Sequence, residues 1–456
     1  MYHMQRNSSD KIDSVNTIQA LILVFLSLQT FLDIAGIHWI FVVLAFIIGL
    51  FQPYYSLHLL VATIPLELIS VTEASVTWTR LVGVAVATGW IANRLMSKAS
   101  FRKVDFGLKS LGSAILLVIW GGISSIYLSS SLSFETYVLQ YVQLVALCLI
   151  VIDTTTSKDH LDLLIQTLIL ATILAAVLTI REYYSASQLV GAFYRAGDNI
   201  AGNENRTATT FTIMLPFAAY LLRSSRSRMT LFTGLAAVIL LPIGVALTFS
   251  RTSYVLLIIV TLLTVIGLRG RNSRNLWLGL LVALLGFQII VGYLVPREIL
   301  TDRIDSIPIY VVEQDTRIGH WHAALLMYAD HPLIGVGLGN FGLYFVEDYQ
   351  FKVNLPRLFT SDRSPHSSIF GIMAELGTVG ILLWGALQIN VLNRISEKLQ
   401  TKVVNSEYKW ILLTIFLVLI VYNLYGVFTV VDNHKLLWIC YGFALALVNL
   451  IEESSN

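Results

Sequence analysis

The sequence predicts an all-α polytopic membrane protein, with about 12–14 transmembrane helices and one large external loop that contains short amphipathic helices. Three observations predict it. Of 456 residues, 56% are hydrophobic and only 13% are charged, against about 25% charged in soluble domains. A water-soluble particle of this composition lacks the polar residues to coat its surface, a demand that lipid removes. Apolar runs follow one another along the chain, each close to the roughly 20 residues that a bilayer-crossing helix needs. The third observation is the placement of Lys and Arg: the net charge is only +2, yet the cations concentrate in four short loops.

In order, the apolar runs lie at 17–33, 36–50, 54–71, 77–96, 110–129, 137–153, 162–181, 208–222, 230–248, 252–268, 276–295, 367–391, 409–428 and 434–451. The first three are short and closely spaced, which sets the lower bound of about 12. Residues 1–16 are polar and mixed in charge. The run after them has no small-residue cleavage site of signal-peptide type, so it reads as the first span. No fixed-period repeat or low-complexity tract is present, and residues 1–456 read as a single integral membrane domain. Cys148 and Cys440 sit inside apolar runs, where cysteine acts as a small packing residue.

The four basic loops hold Lys98, Arg102, Lys103 and Lys109; Arg223, Arg226 and Arg228; Arg269, Arg271 and Arg274; and Arg394, Lys398, Lys402 and Lys409. With the spans above, all four fall on one side. Cytoplasmic loops carry the cation excess, so these loops and both termini are expected in the cytoplasm, with the chain multi-pass in the inner (cytoplasmic) membrane. The opposite, external or periplasmic side then receives the loop 182–207, the tight hairpin 249–252 and the long segment 296–366. A connection this long is usually functional or disordered. Its Trp321, Tyr328, Phe341, Tyr344 and Phe345, with an amphipathic stretch over 316–328, point to a folded loop lying on the membrane surface.

The external side should be poor in cations, yet it holds Arg195, Arg206, Arg251, Arg297, Arg303, Arg317, Arg357 and Arg363. Some have acidic neighbours in sequence: Asp198, Glu204, Asp302 and Asp315. Arg251, in Phe249-Ser250-Arg251-Thr252-Ser253, has none. A cation at a membrane boundary is costly without a partner or a water-filled cavity, which makes it a functional candidate; the bland alternative is an arginine snorkelling to headgroups. Arg317 begins the amphipathic stretch. Arginine grips phosphate oxygens bidentately, as lysine cannot, so external arginines converging on one cavity would suit a pyrophosphate. The alternative is a charge on a solvated helix face.

His366 stands where the long loop re-enters the membrane, in Ser364-Pro365-His366-Ser367. An imidazole with its ordinary pKa of about 6.5 exchanges protons near neutrality. Glu375, inside the following span, needs a partner at that depth; it can pair with an arginine, orient His366 or serve a purely structural pairing. His320 and His322 are two apart and do not share a helix face, and no His, Cys and carboxylate cluster suits zinc, so no bound metal is expected. The run Gly335-Val336-Gly337-Leu338-Gly339-Asn340 neither follows a strand nor opens a βαβ unit, so it reads as a turn and not as a dinucleotide fingerprint. The polar residues 203–207 read first as a cap for the next span, or as cavity lining.

Three segments together resemble the O-antigen ligase and Wzy-type polymerase family of bacterial membrane glycosyltransferases. They are Ser250-Arg251-Thr252-Ser253; Arg317-Ile318-Gly319-His320-Trp321 continuing to His331-Pro332 and Gly335-Val336-Gly337-Leu338-Gly339-Asn340-Phe341; and Pro365-His366-Ser367-Ser368 through Glu375-Leu376-Gly377. The resemblance covers the second half of the chain. It implies a polyprenyl-pyrophosphate-linked glycan as donor and no cofactor. It implies Arg251 and Arg317 as holders of the pyrophosphate; Arg195 and Arg206, among the external arginines, are further donor-binding candidates apart from the resemblance. His366 becomes the base that activates the acceptor hydroxyl. The family often has Asn after this histidine; here Ser367 follows, which leaves open what orients the imidazole.

The leading expectation is a polymerase that joins lipid-linked repeat units into surface polysaccharide on the outer face of the membrane. Its partners would be the lipid-linked glycan, the bilayer, a chain-length regulator and a flippase, with no nucleic acid. A ligase, which passes finished glycan to a lipid A core or to protein, is the alternative within the family. A solute transporter is the rival from another class; it would favour ionisable residues or broken helices near the bilayer midplane. A glycan flippase would handle the same lipid without needing a large external loop and its histidine.

Overall fold

The computed structural model describes residues 37–66, 77–97, 102–127, 137–190, 194–201, 203–224, 227–267, 316–355, 358–360, 363–401 and 406–455. Among them every regular element is helical, and the chain is an all-α polytopic membrane protein. The helices are α1 (Ile37–Phe51), α2 (Pro53–Thr63), α3 (Trp78–Ser97), α4 (Arg102–Ser110), α5 (Gly112–Tyr127), α6 (Leu139–Thr154), α7 (Lys158–Val190), α8 (Asp198–Ala201), α9 (Glu204–Ser224), α10 (Arg228–Leu247), α11 (Arg251–Gly267), α12 (Thr316–Asp330), α13 (Phe341–Glu347), α14 (Ser368–Gln400), α15 (Ser406–Gly426) and α16 (Lys435–Ser455).

The expected runs at 17–33 and 276–295 lie outside the described residues, as do the basic loop around Arg271 and the arginines Arg297, Arg303 and Arg357. Each of the other twelve runs carries a helix over its described part. Five helices are long and apolar enough to cross a membrane: α7 over Lys158–Ala186, α10, α14, α15 and α16 over Lys435–Ser454. The bent pair α4 and α5, 61° apart, makes a sixth if counted as one span. Apolar segments of α1, α6 and α11 are shorter. The run at 54–71 yields only the eleven residues of α2, followed by a 3-10 turn at Ile64–Leu66. Pro65 explains the stop, since it lacks an N–H to continue the helix.

The outer surface confirms the solvent that the composition implies. Val255, Ile258, Leu262 and Ile266 recur every three or four residues along α11, and each is more than half exposed. An apolar stripe of this kind is normal against lipid and a liability in water. The interior is built around α16, whose Trp438, Tyr441 and Phe443 are fully buried against α6 and α15. Cys148 and Cys440 are buried and free, as expected of packing residues.

Ionic contacts divide the bundle into two ends. At one end Arg94 and Trp90 donate to the buried carboxylate of Asp153. Nearby, Lys158 pairs with Asp162 (2.6 Å), Lys398 with Glu452 (3.0 Å), and the Arg223 guanidinium lies over the Trp410 ring (3.7 Å). Arg223 and Lys398 belong to the basic loops and Arg94 precedes one, while Asp153, Lys158 and Asp162 bound the short connection at 155–157, which the same spans put on that side. The other end gathers the start of α9, the α10–α11 hairpin, the start of α14 and the α15–α16 turn. There Ser253 and Tyr425 share a hydrogen bond of 2.7 Å, and Tyr425 donates to the Asn205 carbonyl (3.3 Å).

One irregularity fixes the long loop to this second end. Gly377 interrupts α14 with φ +64° and ψ −159°. A break inside a span leaves backbone groups that lipid cannot satisfy. Here the turn 332–337 takes them up. Val336 N–H donates to the Ala374 carbonyl (2.8 Å), Gly337 N–H to Glu375 (2.9 Å), and Thr378 N–H reaches back to Pro332 (2.8 Å). The Leu376 carbonyl receives the Trp120 indole from α5 (3.0 Å). A β-carbon on Gly377 would stand 2.4 Å from the backbone of Leu333. Gly377→Ala should therefore lower the stability of the purified protein by about 2–4 kcal/mol, read as a fall in thermal midpoint in detergent. An unchanged midpoint would mean that the break is not held by this turn.

Candidate functional site

The loop beyond α11 folds into a small core of its own. Ala323, Ala324 and Met327 of α12 pack with Val336, Phe341, Phe345, Tyr349 and Phe359, and the cluster ends on Ala374 of α14. The stretch expected to be amphipathic is a helix that packs Ala323, Ala324 and Met327 into this core and against α14, while its other face exposes His322 together with Ile318 and Leu325. The glycine-rich run is a turn, as its context indicated. Gly339 has φ +79° and its position is crowded by the Tyr137 ring, which would lie 2.2 Å from any β-carbon. Glu375 holds this turn. Its two carboxylate oxygens accept from Gly339 N–H (2.9 Å) and Phe341 N–H (3.2 Å), the latter opening α13. Of the roles that the sequence offered for Glu375, these two bonds are of the structural kind, made to the loop backbone.

His366 precedes α14 with φ +53°, and Phe249 precedes the α11 hairpin turn with φ +51°. They are the two non-glycine residues with positive φ among the described residues. Such conformations cost about 1–3 kcal/mol and persist where the surroundings over-determine them. Around Phe249 the surroundings are Tyr183, Ala196, Ile243 and Leu247. Around His366 they are two caps. Ser367 caps α14 by accepting from Phe370 N–H (3.4 Å) and donates to the Gly426 carbonyl (3.3 Å). Ser368 accepts from Val431 N–H (2.7 Å) and Asp432 N–H (3.2 Å). Ser367, where the family often has Asn, thus anchors the backbone beside His366 to the α15–α16 turn.

Across the site, Arg317 Nη1 donates to Thr252 Oγ1 at 3.4 Å, which joins the first turn of α12 to the first turn of α11 beside Arg251. Arg251, Arg317 and His366 are all half-buried. Trp321, one turn beyond Arg317, donates its indole N–H to the His366 carbonyl (3.4 Å) and stacks on Phe370 (5.4 Å between centroids). The same helix therefore reaches the arginine hairpin at its start and the histidine one turn later.

Arg195 is placed differently. Its Nε donates to the Thr248 carbonyl (3.0 Å), its Nη2 to Asn205 (3.2 Å), and its Nη1 lies 3.8 Å from Glu204. It holds the α10–α11 hairpin against the start of α9. Arg206 lies near enough to the Tyr422 hydroxyl of α15 to act on it electrostatically. Asn203 caps α9 by accepting from Asn205 N–H (2.8 Å), the role read first in the sequence.

Asp432 and Tyr194 are among the groups at this end whose proton affinities are shifted. Burial pushes the Asp432 carboxyl upward, opposed by hydrogen bonds with Ser368 and Tyr141. Burial, with Glu182 accepting from its hydroxyl (2.6 Å), pushes Tyr194 well above the usual phenol range. Asp432 and His320 were not singled out as site residues in the sequence. Asp432 had a signal, an acid in the five-residue turn between two apolar runs. His320 was weighed only as a metal ligand; among the described residues no group of three metal-ligating side chains occurs.

Arg251, Arg317 and His366 are thus half-buried residues near three helix starts at one end of a helical membrane bundle. Residues 235–385 match the family model described as O-Antigen ligase. That span takes in the Arg251 hairpin, α12, the glycine-rich turn, His366 and Gly377, so the resemblance of these motifs to the O-antigen ligase family is borne out over this part of the chain. No curated protein matches the chain.

If Glu375 holds the loop, Glu375→Ala leaves two amide donors without acceptors, at about 1–3 kcal/mol each. Limited proteolysis should then cut within 335–341, with Glu375→Gln intermediate. Equal resistance in all three proteins would remove Glu375 from this role.

Proposed function

We propose that the protein is a glycosyltransferase that polymerises polyprenyl-pyrophosphate-linked oligosaccharide units on the outer face of the cytoplasmic membrane. The observation that carries this reading is the Arg317–Thr252 contact, which sets two arginine-bearing helix starts side by side while the same α12 leans on His366. Two guanidiniums and the N-terminal amides of α11 suit a pyrophosphate, since bidentate cations and helix starts both favour phosphate oxygens. The orientation follows from the two-ended charge pattern: the end with Lys158, Arg223 and Lys398 is cytoplasmic by the excess of cations, so the site faces outward.

In the reaction, the acceptor hydroxyl loses its proton to the His366 imidazole as its oxygen attacks the anomeric carbon of the donor sugar. The bond from that carbon to the pyrophosphate oxygen breaks, and the electron pair leaves on polyprenyl pyrophosphate. Arg251 and Arg317 stabilise that charge in a poorly solvated site, where prepositioned cations count most. The lipid tail enters from the side of the bundle. Arg206 is a further donor-binding candidate, and Arg195 supports the hairpin.

A second reading, transfer of finished glycan to a lipid A core or protein, is favoured by the description of the matching family model. The transporter reading asks for a broken helix, and α14 has one; its freed backbone groups, however, are occupied by the loop turn and Trp120, not left to coordinate a solute.

His366→Ala in the native host should collapse the surface-glycan ladder to single repeats while the protein still reaches the membrane. Long chains retained on the lipid carrier would instead identify a ligase. An unchanged ladder would remove His366 from catalysis. Arg251→Lys and Arg317→Lys should each lower turnover by about 10²–10³.

A further inference from the structure

We propose that His320 is a positioning residue for His366, a role that rests on the reading of His366 as the base. His320 is one of the most enclosed polar side chains of the long loop, only 1% exposed. Its ring stacks on Phe345, with centroids 4.4 Å apart and planes 18° apart, and meets Phe359 at 5.5 Å. It also meets the His366 ring, at 5.2 Å and 82°, an edge-to-face contact.

Each wall of this nest is fixed independently. Phe345 lies in the loop core with Phe341, stacked at 5.7 Å. Phe359 is clamped by Gln350, whose amide both accepts from Phe359 N–H (2.7 Å) and donates to its carbonyl (3.0 Å). The Arg363 guanidinium covers the same Phe359 ring at 4.7 Å. His320 is therefore held in one orientation, and it presents a fixed aromatic surface to His366.

The bonds of Ser367 and Ser368 hold the backbone beside His366, and Trp321 takes its carbonyl; the His320 ring is a contact to the imidazole itself. A general base must stand within hydrogen-bond reach of the proton it takes, and an error of about 1 Å can cost about 100-fold in rate. An edge-to-face ring contact is directional enough to select one ring orientation. The neighbouring histidine of the same helix, His322, is exposed and serves as the internal control. On this account the motif Arg317-Ile318-Gly319-His320-Trp321 has three working members on one helix: Arg317 for the donor, His320 for the ring of His366 and Trp321 for its backbone.

The test uses the full-length protein in detergent with the lipid-linked repeat unit extracted from the host as donor, titrated to separate kcat from KM. His320→Ala should lower kcat by about 100-fold with the donor KM unchanged. His320→Phe, which keeps a flat ring, should restore most of that loss, while His320→Gln, polar without a ring, should not; His322→Ala should match wild type. If His320→Ala fails to fold, the contrast between the Phe and Gln variants still decides. The proposal is overturned if Gln restores activity as well as Phe, or if the variants change KM and leave kcat intact. His366→Ala runs alongside: should it retain full activity, the reading of His366 as base has failed, a result separable from failure of the His320 contact alone.

Discussion

The break in α14 at Gly377 is the constraint on which the rest of the site depends. A membrane-embedded helix cannot leave its carbonyls bare, because an unsatisfied backbone group in a medium without water costs several kcal/mol. The Ala374, Glu375 and Leu376 carbonyls are taken by Val336, Gly337 and the Trp120 indole, and Thr378 N–H is taken by Pro332. Loop and span are thereby mutually required. The helix cannot break without the turn, and the turn has its partners only at the break. Each such bond contributes about 1 kcal/mol net, yet losing any one exposes the full desolvation cost of the group left behind.

From this joint the geometry of the site follows. The turn 332–340 leads from the end of α12 to α13, so fixing the turn fixes where α12 lies along α14. Once there, its first turn reaches Thr252 beside Arg251, and its second places His320 and Trp321 against His366. Glu375 adds a second tie between the same two elements through Gly339 and Phe341. The strained backbones of Phe249 and His366 sit at the two helix starts that the loop bridges. Local strain is tolerated there because packing on several sides leaves no lower alternative.

Much of this was legible in the sequence, for identifiable reasons. Apolar runs near bilayer length are a strong signal, and all twelve that fall on described residues carry helices. The Arg251 hairpin showed itself because a cation between two apolar runs with no acid nearby is physically unusual. His366 showed itself by standing at the loop's re-entry. The roles of Glu375 and His320 were harder to read. Glu375 was legible as a carboxylate in need of partners, but its partners are backbone amides 34 and 36 residues away, which leave no mark in composition. His320 looked like one of a pair with His322, and only the docking of α12 distinguishes the buried ring from the exposed one. Within the described part of the run at 54–71, α2 gives way at Ile64–Leu66 to a 3-10 turn that holds Pro65.

The central claim is that Arg251 and Arg317 together form a pyrophosphate site. The most direct measurement is binding of sugar-free polyprenyl pyrophosphate to the purified protein, compared between wild type and the double variant Arg251→Ala, Arg317→Ala. The account predicts saturable binding to wild type that is lost in the double variant, with polyprenyl monophosphate binding more weakly than the pyrophosphate. Equal binding of the pyrophosphate lipid by both proteins would contradict it.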